Sequence, residues 1–193
     1  MCVRVCVCVC VIQPPSLHLL TNSAYVVSGV YPLAHVLLAF EGESPRKIEA
    51  TGELTENGVD RYGRIVLDYG DARKGIAEYN LSSKTACEVR IDGENGTIYI
   101  HPRAHCPTKV SLKCESETRE FQFDLPTTPT HVDKELKSWP KWSGFHYQAK
   151  AVSEYVVKGA TEAAEFPLDE SLHMMQIMDE VREQLSVKFP IER

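Results

Sequence analysis

The chain has 193 residues, which is enough for one well-packed domain that buries roughly 70% of the surface exposed on unfolding. Its 43% hydrophobic and 25% charged residues are typical of a globular protein and exclude a disordered or fibrous one. The net charge is −6, from 21 basic and 27 acidic residues, and the sequence has no basic run that could follow a phosphate backbone. Nucleic acid is therefore not expected as a partner.

The first segment, Met1 to Val11, alternates cysteine and valine with almost no other content, which is a low-complexity pattern. Codons for both residues occur in an alternating TG repeat. We therefore interpret residues 1–22 as artefactual or disordered, and we expect the true N-terminal part of the protein to be missing. A signal peptide is the alternative, but Pro14-Pro15 follows where a small-residue cleavage site would be needed.

The remaining cysteines, Cys87, Cys106 and Cys114, are isolated in the sequence, and no CxxC pair occurs. Isolated cysteines in a domain of this size fit a reducing compartment better than a disulfide framework. We therefore expect a cytoplasmic protein.

Residues 23–40 predict one helix that is apolar nearly all round, so we expect other elements to cover it on every side. From Tyr25 to Phe40 it would span roughly 24 Å, less than the roughly 30 Å of a bilayer core, so a membrane span is not expected. Pro32 should kink this helix. Because residues four apart share a helical face, Val27, Tyr31 and His35 fall on one stripe. A tyrosine hydroxyl there is either hydrogen-bonded structurally or presented to a cavity, and composition alone favours the structural role.

After this helix the pattern changes to short alternating segments separated by turn residues. It predicts an open sheet of about six or seven strands, mostly antiparallel because the connections are too short for crossovers. One face alternates apolar residues and should receive the helices. The predicted strands are Lys47–Glu53, Arg61–Tyr69, Gly75–Asn80, Ala86–Asp92, Thr97–His101, Lys109–Cys114 and Arg119–Phe123; the apolar face holds Ile65, Leu67, Val89, Ile91, Val110 and Leu112.

The proline-rich segment from Leu125 to Pro140 predicts a long irregular loop, and two helices should follow it. The first runs from about Tyr147 to Lys158 and ends before Gly159. The second runs from Asp169 or Glu170 to Leu185, with Asp169 as its cap. Its apolar face should hold Leu172, Met175, Met178, Val181 and Leu185. Residues 23–193 thus predict one α+β domain with helices on one sheet face, whose other face is solvated or covered by a partner.

Familiar catalytic and binding motifs are missing from the sequence. The eleven glycines include neither GxGxxG nor GxxxxGK[ST], so the chain is not expected to hold a nucleotide cofactor by itself. His101, His105 and Cys106 lie in a proline-bounded strand end, so a metal site is not expected. No nucleophile elbow is present to support a hydrolase.

The motif Ser28-Gly29-Val30-Tyr31-Pro32 resembles the C-terminal domain of the Gfo/Idh/MocA oxidoreductases, and in particular of the dimeric dihydrodiol dehydrogenases. The resemblance covers about residues 23–190 and depends on the order and spacing of several motifs together. The further motifs are Asn57-Gly58-Val59-Asp60, Gly93-Glu94-Asn95-Gly96-Thr97, Cys106-Pro107-Thr108, Phe145-His146-Tyr147-Gln148-Ala149-Lys150 and Val187-Lys188-Phe189-Pro190.

The resemblance implies an enzyme with an N-terminal Rossmann domain, which holds NADP and a catalytic lysine, and a C-terminal domain whose open sheet face forms a homodimer. It also implies an aspartate and, four residues later, a tyrosine or histidine facing the substrate. Tyr31 occupies the second of these positions and is the candidate catalytic residue. Val27 occupies the aspartate position, and a valine can neither accept nor orient a proton.

The sequence therefore predicts the C-terminal fragment of an NADP-dependent dehydrogenase acting on small molecules, trans-dihydrodiols of aromatic hydrocarbons and D-xylose. Without its cofactor domain the fragment should be inactive. The alternative is a non-catalytic interaction module that dimerises with a full-length paralogue. A third, weaker interpretation is a secreted binding domain, which would require glycosylation at the sequons of Asn80 and Asn95.

Overall fold

The computed structural model describes residues 28–127 and 142–189, together with the strand Arg4–Cys10. Seven strands lie where the alternating pattern predicts them, and the α+β class is confirmed. No helix in the described part of the chain is long and apolar enough to cross a membrane. In chain order the elements are β1 (Arg4–Cys10), α1 (Val30–Ala39), β2 (Lys47–Leu54), β3 (Asp60–Gly70), β4 (Arg73–Asn80), β5 (Glu88–Gly93), β6 (Gly96–Ile100), β7 (Lys109–Cys114), β8 (Thr118–Gln122), a 3-10 turn (Trp142–Gly144), α2 (Phe145–Val157) and α3 (Leu168–Gln184).

The strands form two antiparallel blocks, β2 to β4 and β5 to β8, and β1 lies between them. It runs parallel to β4 and antiparallel to β5, so that Val7 is the register partner of both Ala77 and Val89. This strand was not among the predicted elements, because the cysteine and valine repeat was interpreted as artefactual or disordered. Valine is nevertheless a strong strand former. The division of the chain near residue 22 stays a prediction.

The core lies between the sheet and two helices, α1 and α3, which both pack on the same sheet face. Ile65, Leu67 and Val89 of the predicted apolar face are completely buried there, which confirms the predicted side for the helices. The remaining buried apolar residues of this core are Leu33, Val36, Leu37, Phe40, Tyr69, Ala77, Tyr79, Ala104, Met174, Ile177, Met178, Val181, Leu185 and Val187.

The expectation that the first helix is covered on every side is wrong. One face of α1 is buried, but Tyr31 is 43% exposed and Leu38 is 72% exposed. An apolar composition indicates that a helix has partners, whereas two packed layers cover only the side that meets the sheet. Pro32 lies in the first turn of α1, directly after a wider turn at Ser28 and Gly29.

The predicted apolar face of α3 is also partly wrong. Leu172 and Met175 are exposed, while Met174 and Ile177 are buried beside Met178 and Val181. The helix is apolar over a wide arc, so its spacing allows two neighbouring faces and the sheet selects one.

Asp169 does not cap α3. The N-cap position is Pro167, and Asp169 lies in the first turn. The Glu162 carboxylate instead accepts a hydrogen bond of 2.8 Å from the Leu168 N–H, which gives one otherwise unpaired donor at the helix start an acceptor.

The helix α2 ends as predicted before Gly159, whose φ of +70° is the left-handed value that glycine adopts readily. The Ala160 N–H donates to the Tyr155 carbonyl at 3.0 Å and closes the helix end. Unlike α1 and α3, this helix has no buried residue. Its apolar side chains, Phe145, Val152 and Val156 among them, are exposed.

Candidate functional site

The candidate catalytic residue, Tyr31, lies in the first turn of α1, on the side turned away from the sheet. Its neighbours Pro32 and Leu33 are buried, as are Val36 and Leu37 one turn later. These contacts fix the helix and leave the phenol of Tyr31 partly exposed. The structure therefore places Tyr31 at the surface of the domain, where a small molecule or another domain can reach it.

His35 lies one turn after Tyr31 and is bonded to its backbone. The His35 Nδ1 is 2.8 Å from the Tyr31 carbonyl oxygen. Because a carbonyl oxygen only accepts, Nδ1 carries the hydrogen of this bond, and Nε2 is the acceptor of the neutral ring. Tyr31, His35 and Leu38 form a partly exposed row, which we call the open strip of α1. Val27, the third member of the predicted stripe, lies outside the described residues.

Ser28 lies just before α1 and is completely buried. Its hydroxyl has no hydrogen-bond partner in the described part of the chain. A buried hydroxyl without a hydrogen-bond partner lowers the stability of the fold. Such a hydroxyl therefore often lies where a water molecule or an ion supplies the missing hydrogen bond.

The described residues near Tyr31 do not fit a dinucleotide. The first turn of α1 contains no charged residue, and the sequence contains neither glycine-rich phosphate-binding motif. Binding of the pyrophosphate of such a cofactor needs closely approaching backbone N–H groups and basic side chains. Among the described residues the open strip can contact a substrate, but it does not form a cofactor cradle.

The potential metal ligands do not converge, since no group of three in the described part of the chain could hold an ion. His101 Nε2 is hydrogen-bonded to the Ser111 hydroxyl at 2.7 Å, whereas His105 faces Cys87. Cys87 and Cys114 are free thiols.

The sheet face opposite the helices, which we call the outer face, is polar. Arg64 pairs with Glu78 at 3.0 Å across β3 and β4, and Lys109 pairs with Glu120 at 2.7 Å across β7 and β8. The Tyr99 hydroxyl donates to the Glu88 carboxylate, and this hydrogen bond raises the pKa of the tyrosine. No helix of the described residues packs on this face.

A buried pair that the sequence analysis did not single out lies at the start of β3. The Tyr79 hydroxyl donates to the Asp60 carboxyl at 2.5 Å, and both residues are completely buried. A Cβ on Gly63 would lie 2.3 Å from the Tyr79 ring, so the absent side chain makes room for this tyrosine. Asp60 appeared in the sequence only as part of a family motif. The sequence spacing of Asp60 and Tyr79 does not indicate this contact, because the two residues are brought together by the register between β3 and β4.

The fold matches about half of the chain in solved structures of oxidoreductases. An oxidoreductase from Agrobacterium radiobacter, solved in complex with NAD+, matches 95% of this chain and 54% of its own with a TM-score of 0.67 at 11% identity. A 3-ketoreductase from Actinomadura kijaniata, in complex with TDP-benzene and NADP, matches 93% of this chain and 51% of its own, with a TM-score of 0.62 at 16% identity. At these identities the similarity establishes the fold.

Sequence similarity is more specific. Trans-1,2-dihydrobenzene-1,2-diol dehydrogenase of Sus scrofa is 30% identical over 165 residues, which are 86% of this chain and 47% of the relative. The Xenopus laevis protein of the same name is 31% identical over 171 residues, which are 89% of this chain and 49% of the relative. No protein-family profile matches the chain. The chain is thus a homologue of the trans-1,2-dihydrobenzene-1,2-diol dehydrogenases and spans about half of their length. The resemblance stated from the sequence is confirmed.

Proposed function

We propose that this chain is the C-terminal, substrate-facing and dimer-forming part of an NADP-dependent oxidoreductase that oxidises trans-dihydrodiols of aromatic hydrocarbons and D-xylose. The main support for this function is the sequence identity of about 30% to dihydrodiol dehydrogenases over most of the chain. It is supported by a helix, α1, that presents Tyr31 on its uncovered side.

In this function Tyr31 contacts the substrate. Its phenol donates or accepts a hydrogen bond with the hydroxyl group that is oxidised, and it holds that proton in line for the lysine of the nucleotide-binding half. A nicotinamide cofactor held by the other half of the enzyme would supply the hydride-accepting chemistry. The buried face of α1 fixes the position of Tyr31, and the bond from His35 to the Tyr31 carbonyl holds the same turn.

The cofactor is held by residues outside this domain, because the described residues around Tyr31 do not fit a dinucleotide. The chain by itself is therefore expected neither to bind NADP nor to turn over. The free thiols of Cys87 and Cys114 are in keeping with the proposed cytoplasmic location. The outer sheet face is the proposed homodimer surface, and its cross-strand ion pairs offer complementary charges to a second copy.

The test joins the Rossmann half of the pig relative to the whole chain, so that β1 stays in the sheet, and follows NADPH formation with a trans-dihydrodiol and with D-xylose. Tyr31→Phe should lower kcat/KM by about 10²-fold to 10⁴-fold, because the substrate loses a positioned proton partner. Val27→Asp should raise it. Tyr147→Phe is the matched control, since Tyr147 is a similarly exposed tyrosine on α2 and should leave turnover unchanged.

Unchanged turnover in Tyr31→Phe would remove this residue from the catalytic role. Turnover by the isolated chain with NADP would show that it holds the cofactor after all. Nicotinamide fluorescence on titration of the isolated chain with NADPH measures that binding directly.

The second candidate is a non-catalytic module that dimerises with a full-length paralogue, and the observation that favours it is Val27 at the position of the family aspartate. It predicts a joined protein that stays inactive even with Val27→Asp, together with dimers in analytical ultracentrifugation. A clean monomer at high concentration would speak against both dimer assignments.

A further inference from the structure

A cysteine and a histidine meet where the segment after β4 contacts the loop after β6. The Cys87 Sγ is 3.7 Å from the His105 Nδ1, which is hydrogen-bond distance for sulfur. The Ala104 N–H donates to the Cys87 carbonyl at 3.0 Å, and Ala104 is buried. The backbone of both segments is therefore fixed against the core, which holds the thiol and the imidazole side by side.

The surroundings of the pair leave the sulfur accessible. Cys87 is half-buried and packs against the core on one side, and His105 is exposed. Reactive cysteines are found in such partially exposed positions beside a basic group, whereas fully buried cysteines are inert. A neighbouring imidazole accepts the thiol proton and leaves the thiolate, which is the nucleophilic form.

A second cysteine provides an internal comparison. Cys114, the last residue of β7, is also half-buried and is also a free thiol. No hydrogen bond joins its thiol to an imidazole in the described part of the chain. The two residues thus share a half-buried free thiol, and an imidazole lies within 3.7 Å of the Cys87 sulfur alone among the two.

We propose that Cys87 is a reactive thiol activated by His105 and that it is modified by low-molecular-weight disulfides of the glutathione type. His105 Nδ1 accepts the thiol proton, and the Cys87 sulfur attacks one sulfur of the disulfide. A new sulfur–sulfur bond forms at Cys87 while the old one breaks, and its electron pair leaves with the departing thiolate. Cys87 is oxidised to a mixed disulfide and the released thiol is the reduced product. This chemistry is independent of the dehydrogenase function.

The test treats the intact chain with oxidised glutathione at pH 7 and maps modified peptides by mass spectrometry over time. Cys87 should react about tenfold faster than Cys114, and His105→Gln should remove most of that difference without changing the rate at Cys114. His146→Gln is the matched control, since this exposed histidine lies on α2, and it should leave the rate at Cys87 unchanged.

Equal rates at Cys87 and Cys114 in the unaltered chain would overturn the assignment, and this comparison requires no variant to fold. An unchanged rate at Cys87 in a folded His105→Gln variant would overturn the role of the histidine. Circular dichroism of each variant reports whether it is folded.

Discussion

The helices α1 and α2 both carry apolar side chains along one side, but only α1 is packed. In α1 Leu33, Val36 and Leu37 are buried against the sheet. The approach is close, since a Cβ on Gly75 of β4 would lie 2.2 Å from Val36 Cγ1. In α2 Phe145, Val152 and Val156 are exposed, and the Tyr147 hydroxyl bonds to the Asp124 carbonyl near one end of the helix.

This difference shows that an apolar stripe indicates a need for a partner without indicating which partner. An isolated helix of 13 residues is marginal in water, so α2 gains little stability from its own hydrogen bonds. The free energy of unfolding should therefore be concentrated where α1 and α3 cover the sheet. The region of α2 should contribute little to the free energy of unfolding. Its apolar side chains are exposed to contact with another protein.

The largest expected effect comes from the same substitution made in both helices. Val36→Ala removes two buried methyl groups beside Gly75 and should lower the free energy of unfolding by about 2 kcal/mol. Val156 is 68% exposed. Val156→Ala should therefore be neutral or slightly stabilising, by up to about 0.6 kcal/mol, since alanine is the better helix former. Urea unfolding followed by circular dichroism measures both.

Equal losses in the two variants would show that α2 is packed as tightly as α1 in solution. The valine-to-alanine change is the same in both, so its intrinsic helix preference cancels from the comparison. What remains is the burial of the side chain.

Within the packed region, two buried tyrosines offer the next test. Tyr79 donates to the Asp60 carboxyl, whereas the Tyr69 hydroxyl has no partner among the described residues. Tyr79→Phe should cost about 1.5 kcal/mol, because Asp60 loses a donor in a buried place. Tyr69→Phe keeps the ring stacked on that of Phe40, with the ring centroids 3.9 Å apart. It should therefore be neutral or stabilising by up to about 1 kcal/mol. Denaturant midpoints at pH 7 measure both changes.

Burial raises the pKa of Tyr69 far above its ordinary value, with the nearby Glu43 carboxylate adding to the effect, so this hydroxyl stays protonated in the folded protein. A loss of stability in Tyr69→Phe as large as that in Tyr79→Phe would mean that the Tyr69 hydroxyl has a hydrogen-bond partner after all.

The strands could be predicted from the sequence because their signal is local. Residues such as Ile65 and Leu67 alternate with polar neighbours, and turn residues bound each segment. The end of α2 could be predicted because Gly159 readily adopts the left-handed conformation that ends a helix, and its φ is indeed +70°. The uncovered side of α1 could not be predicted, since Leu38 is as apolar as Leu37 and only the position of the sheet distinguishes them.

The candidate site could be predicted only in part, for the same reason. A family motif pointed to Tyr31, and the structure places it at the surface without testing its role. Cys87 and His105 are 18 positions apart and meet through two irregular segments, so neither periodicity nor spacing joins them. The strand β1 could not be predicted once its cysteine and valine repeat was attributed to an artefactual TG repeat. The strand preference of valine alone would have indicated it.

The smallest expected effect concerns the ion pair that connects the segment after α1 to the sheet. Arg73 at the start of β4 donates two hydrogen bonds to the Glu43 carboxylate, at 2.6 and 2.8 Å. These bonds hold the pKa of Glu43 below its ordinary value of 4.5. A pKa that is lower in the folded than in the unfolded state means that the pair stabilises the fold above pH 4.5. The stabilisation is lost as the pH falls through the folded-state pKa.

Glu43→Gln should therefore lower the urea midpoint slightly at pH 7, and the difference from the unaltered protein should shrink as the pH is lowered through the folded-state pKa of Glu43. Glu154→Gln is the matched control on α2, because the Lys150–Glu154 pair, at 3.9 Å, joins that helix only to itself. It should leave the midpoint unchanged across the same pH series. A Glu43→Gln difference that persists undiminished to the acid end of the series would show that the substitution acts through something other than the charge on this carboxylate. If the two glutamates behaved alike, the connection between α1 and the sheet would be no stronger than a pair within one exposed helix.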